Sequence, residues 1–522
     1  MARARPAAAA APGRFALHGF AGFLVSLAMS AVLLAALARG AKWGLAVVAA
    51  LVAGGVVLLA RDRRLVAALG VAAGVPIGVQ YGLLSHGGRY DTYIHFGGAP
   101  AEPILCLVDI PIVLLAIFFI VDLGLGRRRL PAWTRLDTAI AVALALSLAS
   151  VANTSEHALL FFEMARYAKY LVLFWALRTC VDRPDWIWGF TAVSLGVLGL
   201  QGLVAMAQYF LYFTLPVPVG GVSESGFELI GGELIQRVTG FLGHSNTFAA
   251  YLLVPLALGA LLLVTRVRVM YRLAALPSLG LGFVALLLTF SRNGLLSLAL
   301  LVLLVAGLAI ATGRLPRTTP IAVAGVALIV ILLVFGFGLD EVTLRSWGLL
   351  GDGAGQGVIA AVMTRIAYDP GKAVESRLDL LRIAGEMVRQ HPLLGIGLNS
   401  FEENMALYDR AGTAQIIQQP VHNVFALVAA ETGLPSLCAW LVAGWLLLGR
   451  SWRLLRRGDE AAFLAGALGV CTVVVLSFSN QFDLTLRKEP LLGMVTLIAA
   501  LVVTMSTGST ADLDRRAQTS GR

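Results

Sequence analysis

Charged residues are scarce in this chain of 522 residues: only 13% are Asp, Glu, Lys or Arg, whereas 58% are hydrophobic. In a soluble globular domain about a quarter of all residues are charged, so the composition excludes that class. Cysteine is also rare, and the four cysteines, Cys106, Cys180, Cys438 and Cys471, show no Cys-x-x-Cys spacing. The sequence therefore indicates neither a disulfide framework nor a zinc site.

The chain consists mainly of long apolar runs. Runs of about 20 apolar residues match the hydrocarbon thickness of a bilayer as helices, and the 56 glycines fit helices that pack closely in lipid. The fourteen predicted spans are residues 15–38, 43–60, 65–84, 103–126, 136–152, 158–177, 186–213, 243–265, 272–290, 295–312, 320–339, 422–448, 460–480 and 490–507. The predicted fold class is an all-α integral membrane protein, a polytopic bundle of about 14 transmembrane helices.

The sixth predicted span, residues 158–177, is interrupted by three charged residues, Glu163, Arg166 and Lys169. One interpretation is that they pair with each other at i,i+3 spacing and face the bundle interior. The alternative is that they line a substrate path, since ionisable residues within a membrane span are often functional.

The positive charges predict an orientation. If the N-terminus is cytoplasmic, 24 of the 40 Lys and Arg residues fall on that side, against seven in the short external loops. Cytoplasmic loops are enriched in Lys and Arg, so both termini are predicted to be cytoplasmic. The predicted organisation is a tail at 1–14, eleven spans at 15–339, an external loop at 340–421, three spans at 422–507 and a tail at 508–522. The net charge of +10 then fits an anionic lipid leaflet and needs no nucleic acid.

Three arginines and one histidine fall on the predicted external face: Arg237, Arg292, Arg377 and His422. Guanidinium groups bind phosphate oxygens in bidentate fashion and stay charged at any working pH, so the group suits a membrane-embedded diphosphate. The alternative is that the arginines only anchor helix ends at lipid headgroups, and this alternative fits Arg292 best.

The external loop contains a predicted amphipathic helix at residues 376–390. Its narrow stripe is formed at three- and four-residue steps by Arg377, Leu381, Ala384 and Val388. His391–Pro392 ends the helix, and Gly395 and Gly397 allow a tight reversal. An ordinary cover helix would explain the stripe. It would not explain why Arg377 lies near the positive end of the helix dipole, a cost that a bound anion would offset.

Four groups of residues carry a family resemblance. They are Arg237–Tyr251; Thr289–Gly294; Ser376–Arg377 with His391–Gly397; and His422–Asn423 with Glu431–Pro435. In this order and on these predicted faces, they resemble the signatures of the O-antigen ligase and O-antigen polymerase superfamily. The resemblance covers roughly residues 230–450. The segment 340–372 is longer than a minimal member needs.

The resemblance implies a GT-C-like bacterial inner-membrane glycosyltransferase that works on the periplasmic face without a metal ion or cofactor. The donor would be a glycan on undecaprenyl diphosphate, and the acceptor a hydroxyl of lipid A core, of another lipid-linked glycan or of a protein. By resemblance, Arg237 and Arg377 would bind the diphosphate and His422 would meet the acceptor. Arg292, Asn423 and His244 are auxiliary candidates. Polysaccharide chain-length and flippase proteins are possible partners.

The chemistry fits these assignments. A diphosphate is already a good leaving group, so the site must neutralise its growing charge and supply a base, and an imidazole with an ordinary pKa of about 6.5 suits the second task. A single in-line displacement predicts inversion at the anomeric carbon. The alternative role of His422 is a helix cap before span twelve. Two other functions stay open: a transporter or flippase of lipid-linked glycans, and a non-catalytic subunit of a polysaccharide assembly machine.

Overall fold

The computed structural model describes residues 60, 62–78, 80–82, 104–181, 186–211, 227–230, 233–315, 370–409, 412 and 419–520. Within these residues the chain forms thirteen α-helices: α1 (Arg63–Gly74), α2 (Asp109–Gly124), α3 (Arg135–Ala149), α4 (His157–Cys180), α5 (Trp186–Leu211), α6 (Ser245–Val264), α7 (Val269–Leu288), α8 (Arg292–Ala311), α9 (Pro370–Gln390), α10 (Phe401–Tyr408), α11 (Val424–Leu455), α12 (Glu460–Ser479) and α13 (Glu489–Ser520). Short 3-10 turns follow α3 (Ser150–Ala152) and precede α13 (Thr485–Arg487).

Two small antiparallel hairpins accompany the described helices. Strand β1 (Gln80–Gly82) pairs with β2 (Ile104–Cys106), and β3 (Phe227–Ile230) pairs with β4 (Glu233–Gln236). With so little sheet, the fold class is helical.

Eight helical segments among the described residues are long and apolar enough to cross a membrane: α3 with its 3-10 turn, α5 to α8, and α11 to α13. The predicted polytopic all-α membrane fold is confirmed. The number fourteen stays a prediction, because the spans at 15–38 and 320–339, and all but residue 60 of the span at 43–60, lie outside the described residues.

Two predicted spans differ in extent from the structure. The span at 65–84 is wrong as one continuous helix, because α1 ends at Gly74 and residues 80–82 form a strand. Pro76 explains this end, since proline has no N–H for the helical ladder. The span at 103–126 shortens to the 16 residues of α2.

The charged residues of α4 pair with other side chains. Arg166 forms an ion pair with Glu163, and both are buried, as the first interpretation of this span predicted. Lys169 instead joins Asp109 (3.0 Å) and Glu489 (3.1 Å), which lie on α2 and α13. The cluster therefore locks α4 between two neighbouring helices.

Glycines let α5 and α7 approach closely. A Cβ atom at Gly202 would lie 2.6 Å from the Leu281 side chain, and one at Gly282 would lie 2.4 Å from that of Leu198. Small residues that allow backbones to approach are the expected device for packing helices in lipid.

Contacts between helix ends group the connecting segments into two sets. At one end, Asn293 donates to the Ser479 carbonyl (2.8 Å) and the Val424 N–H donates to the Asn480 carbonyl (3.0 Å). All of these positions belong to segments that the charge pattern assigned to the external side.

At the opposite end of the bundle, three ion pairs join segments that were assigned to the cytoplasmic side: Arg64–Asp122 (2.6 Å), Arg178–Asp137 (2.5 Å) and Arg314–Glu460 (2.7 Å). The alternation of the predicted topology is thus consistent with the contacts.

The cover helix of the long loop is α9, which packs on the first half of α11. Its buried residues are Leu380, Ile383, Ala384 and Met387. The predicted helix is confirmed, but it begins at Pro370, so Arg377 lies about two turns inside it and the expected cost at the positive end of the dipole does not apply. The predicted stripe is half right: Ala384 is buried and Val388 packs beside it, whereas Leu381 is 42% exposed and Arg377 is exposed as well. The larger apolar side chains at 380, 383 and 387 decide which face is buried, and Arg377 is left on an accessible flank.

Candidate active site beside the first turn of α11

α11 begins two residues after His422, and Asn423 is its N-cap. The Asn423 Oδ1 accepts hydrogen bonds from the N–H groups of Phe425 and Ala426, each at 3.0 Å. Its Nδ2 donates to the carbonyl (3.2 Å) and to Oε1 (3.1 Å) of Gln481. Asn423 therefore takes the capping role that was the alternative for His422, and it ties the start of α11 to the segment after α12.

The His422 ring is oriented by a carbonyl. Its Nδ1 lies 3.1 Å from the Pro420 carbonyl oxygen. A carbonyl oxygen only accepts, so Nδ1 carries the proton and donates, and in the neutral ring the lone pair is on Nε2. This tautomer leaves Nε2 ready to take a proton from another group.

The surroundings of His422 keep it neutral at neutral pH. Burial is the main cause that lowers its pKa below the ordinary 6.5, and it outweighs the opposing charge of Asp483. Arg377 and Lys488 also lower the pKa, because each is a cation near the ring. A base must be unprotonated before it can act, so this environment suits a general base.

Arg377 differs from the two other arginines of α9. Arg382 forms an ion pair with Asp379 (2.6 Å) and Arg389 with Glu386 (2.6 Å), each one turn earlier on the helix. Among the described residues, Arg377 has no such acidic partner. α9 thus brings an exposed guanidinium without an ion pair close to His422.

Arg237 lies half-buried where α6, α7 and the strand β4 meet. Its Nε donates to the Thr289 carbonyl (2.9 Å), and its Nη2 donates to Asn246 Oδ1 (2.8 Å). From Thr289 the chain turns into α8, whose Asn293 contacts Ser479 at the end of α12. Arg237 therefore lies at the same end of the bundle as His422.

The auxiliary candidates Arg292 and His244 lie at helix starts. Arg292 is the first residue of α8. His244 is the N-cap of α6, and its Nδ1 accepts from the Thr247 N–H at 3.4 Å. His244 thus has a local structural role.

Two of the sequence motifs, residues 391–397 and 431–435, dock backbone to backbone. Gly433 (φ +84°) and Pro435 break the hydrogen-bond ladder of α11, which frees the carbonyls of Ala430 and Glu431. The N–H groups of Ile396 and Gly397 bond to these carbonyls, each at 2.9 Å. The Leu434 N–H in return donates to the Pro392 carbonyl, also at 2.9 Å.

Gly395 makes this docking possible. Its φ is +65°, and a Cβ atom there would lie 2.3 Å from the Glu431 carbonyl carbon. Glycine is required on both counts. The docked loop fixes α9, and with it Arg377, over the start of α11.

The family model of O-antigen ligases matches residues 277–441. This part of the chain resembles the O-antigen ligase family. The match includes Arg292, Arg377, His422 and Asn423, whereas Arg237 and His244 precede it. A comparison with curated proteins found no match for the chain.

The resemblance drawn from the motifs to the O-antigen ligase and polymerase superfamily is thereby confirmed. At the family level, the match supports a ligase- or polymerase-type activity. Within the residues that the structure describes, no group of three His, Cys, Asp or Glu side chains could hold a metal ion.

A buried charge cluster lies behind the candidate site. Arg487 donates from Nη1 to Glu431 Oε2 (2.6 Å), and its Nε lies 3.5 Å from Glu163 Oε1. Arg166 donates to the carbonyl of Arg487 as well as to Glu163. All four side chains are at most 4% exposed. The cluster joins α4, α11 and the turn before α13, so it braces the helix that follows His422.

Glu402, in the first turn of α10, is a half-buried acid near the site. Burial, followed by the nearby Glu431 charge, raises the pKa of Glu402 to about 8, although Lys488 and Arg487 oppose the shift. Its Oε1 is buried without a hydrogen-bond partner among the described residues. At neutral pH this carboxyl is mostly protonated and can donate a hydrogen bond.

Sequence reasoning missed Asp483, Glu402 and the buried role of Arg487. Arg487 and Lys488 were counted only as charges of a short external loop. The available signal was their side of the membrane: Asp483, Arg487 and Lys488 are the charged residues of a loop that the predicted topology places on the same external face as His422.

Proposed function

We propose that this protein transfers a glycan from undecaprenyl diphosphate to an acceptor hydroxyl, as an O-antigen ligase or an O-antigen or exopolysaccharide polymerase. The reaction would take place on the periplasmic face of the bacterial inner membrane, with both termini cytoplasmic. It would need no metal ion and would invert the anomeric centre.

The observation that carries the proposal is the pairing of Arg377 with His422. A guanidinium without an acidic partner among the described residues lies near an imidazole whose Nε2 holds the lone pair. The first is suited to a phosphate group and the second to the proton of an attacking hydroxyl. Together with the match to O-antigen ligases, this favours group transfer over simple transport.

An apolar groove supports a lipid-borne donor. The groove has a volume of about 750 Å³ and lies between α3, α4, α11, α12 and α13. Along α11 it extends from Val424, two residues after His422, to Leu448. An unbroken helix of that length would measure about 36 Å at 1.5 Å per residue, which is an upper bound because α11 is broken at Gly433. This bound is comparable to the hydrocarbon thickness of a bilayer. A hydrocarbon chain in the groove would hold its diphosphate near Arg377.

In this scheme the residues have separate tasks. His422 Nε2 takes the proton as the acceptor oxygen bonds to the anomeric carbon. The bond from that carbon to the phosphate oxygen breaks, and its electron pair leaves with the diphosphate. Arg377 and Arg237 stabilise the negative charge that grows on the departing group, the larger of the two catalytic contributions expected here.

The experiment that tests the proposal uses purified protein in lipid nanodiscs with an undecaprenyl-diphosphate-linked glycan and a lipid A core acceptor, in the presence of EDTA. We expect glycosylated acceptor with inverted anomeric configuration and free undecaprenyl diphosphate in equal amounts. If undecaprenyl-linked glycan is consumed without lipid A core product, a second lipid-linked glycan is the acceptor and the protein is a polymerase.

The two other functions give different outcomes. A flippase would move the lipid-linked glycan across sealed vesicles without releasing undecaprenyl diphosphate. A non-catalytic subunit would do neither. Either result would contradict the proposal.

A further inference from the structure

The connector between α12 and α13, residues 480–488, lies against the start of α11. The Val424 N–H donates to the Asn480 carbonyl (3.0 Å), and Asn423 holds Gln481 through two hydrogen bonds. These contacts bring Asp483 and Lys488 to His422, the residue just before the cap.

Asp483 is buried with one oxygen unpaired. The residue is 7% exposed, and its Oδ1 accepts a hydrogen bond from the Leu484 N–H at 2.7 Å. Its Oδ2 is buried and has no hydrogen-bond partner among the described residues. A buried carboxylate oxygen without a donor costs free energy, so a compensating use for the charge is expected.

The charged residues that act most strongly on His422 come from two elements, α9 and the connector. Arg377 acts from α9, Lys488 and Asp483 act from the connector, and α11 itself contributes no charged group among the strongest influences. Two cations and one anion therefore face the ring. When His422 takes a proton it becomes a third cation. Arg377 and Lys488 disfavour that cation, whereas Asp483 and the hydrogen bond to the Pro420 carbonyl favour it.

We propose that Asp483 is a positioning residue for His422: its carboxylate stabilises the imidazolium ion that forms when Nε2 removes the proton of the acceptor hydroxyl. The inference rests on the proposed glycan transfer. The proton moves from the acceptor oxygen to Nε2, the acceptor oxygen bonds to the anomeric carbon, and the diphosphate leaves with the bonding electrons. His422 later releases the proton to water.

The substitution Asp483→Asn keeps the size of the side chain and removes its charge. We expect the plateau of kcat/KM to fall about tenfold or more, because part of the contribution of general base catalysis is lost. The acidic limb of the pH profile should move to lower pH, because Asp483 raises the pKa of His422 in the wild type. Asp483→Glu, which restores the charge, should recover part of the rate.

Two further variants separate this role from a structural one. Lys488→Gln removes a cation that lowers the pKa of His422, so the acidic limb should move the opposite way, to higher pH. Asp459→Asn makes the same charge change at the opposite end of the bundle, where Asp459 caps α12 by accepting from the Ala462 N–H (2.7 Å). Asparagine is an equally good cap, so this control should retain wild-type rate and profile.

The outcomes distinguish the two proposals. Wild-type protein without any transfer activity overturns the proposed function, and this inference with it. Wild-type protein that transfers glycan, combined with an Asp483→Asn variant whose acidic limb does not move, overturns the role of Asp483 alone.

Discussion

The substitution Gly395→Ala should undock the loop that holds α9 over the site. An alanine at φ +65° costs about 1–2 kcal/mol. The new Cβ would lie 2.3 Å from the Glu431 carbonyl carbon, so the loop must move and the three 2.9 Å backbone bonds around it weaken. At about 1 kcal/mol net for each bond, the total loss is about 4–5 kcal/mol.

Gly385→Ala is the matched control. Gly385 lies on α9 with nothing within 4 Å of a Cβ atom and without a positive φ. Alanine replaces glycine there in the interior of a helix, so the variant should be stabilised by about 0.5–1 kcal/mol. The same chemical change is therefore expected to have opposite signs at two positions ten residues apart.

Thermal unfolding in detergent and hydrogen exchange of residues 392–400 measure both effects. Gly395→Ala should lower the unfolding temperature, speed exchange in that segment and reduce transfer, whereas Gly385→Ala should do none of these. A Gly395→Ala protein with wild-type unfolding temperature and wild-type exchange would refute the docking of the two motifs.

Three other predictions concern the charged residues. Arg377→Ala should weaken donor binding and abolish most transfer, whereas Arg382→Ala, which removes an already paired arginine, should retain near wild-type rates in the same assay. Glu431→Ala should cost about 3–5 kcal/mol in an unfolding titration because it takes a partner from buried Arg487, and the double replacement of Glu431 and Arg487 by leucine should recover most of that loss. Glu402 has a folded pKa of about 8, above its ordinary 4.5, so its contribution to stability is present at low pH and is lost as the pH rises between these values; Glu402→Gln should flatten this decline in thermal unfolding measured from pH 5 to 9.

The fold class could be predicted from the sequence because hydrophobic length is a local property. Each apolar run, such as residues 460–480, reports the bilayer thickness without reference to its neighbours. The span at 65–84 was extended through Pro76 because residues 75–84 are still mainly apolar, and composition alone does not register a missing backbone donor. The buried face of α9 was misassigned for a related reason: two stripes at three- and four-residue spacing were possible, and only packing against α11 selects Leu380 over Leu381.

The candidate site was predictable where motif order carried information. The motifs placed Arg377 and His422 on the same predicted face, and in the structure Arg377 is near enough to lower the pKa of His422. Asp483 follows His422 by 61 residues and belongs to none of the four motif groups. Its relevance depends on the hydrogen bonds between Asn423 and Gln481, which is a tertiary contact that spacing does not encode.

The most direct measurement for the central claim is the single-turnover rate of glycan transfer by the His422→Ala variant, with saturating lipid-linked donor and with donor affinity measured in parallel. The account predicts a rate about 10²–10⁴ times lower than wild type with donor affinity little changed, because His422 would act on the acceptor proton and not on the diphosphate. A wild-type rate, or a loss confined to donor affinity, would contradict it.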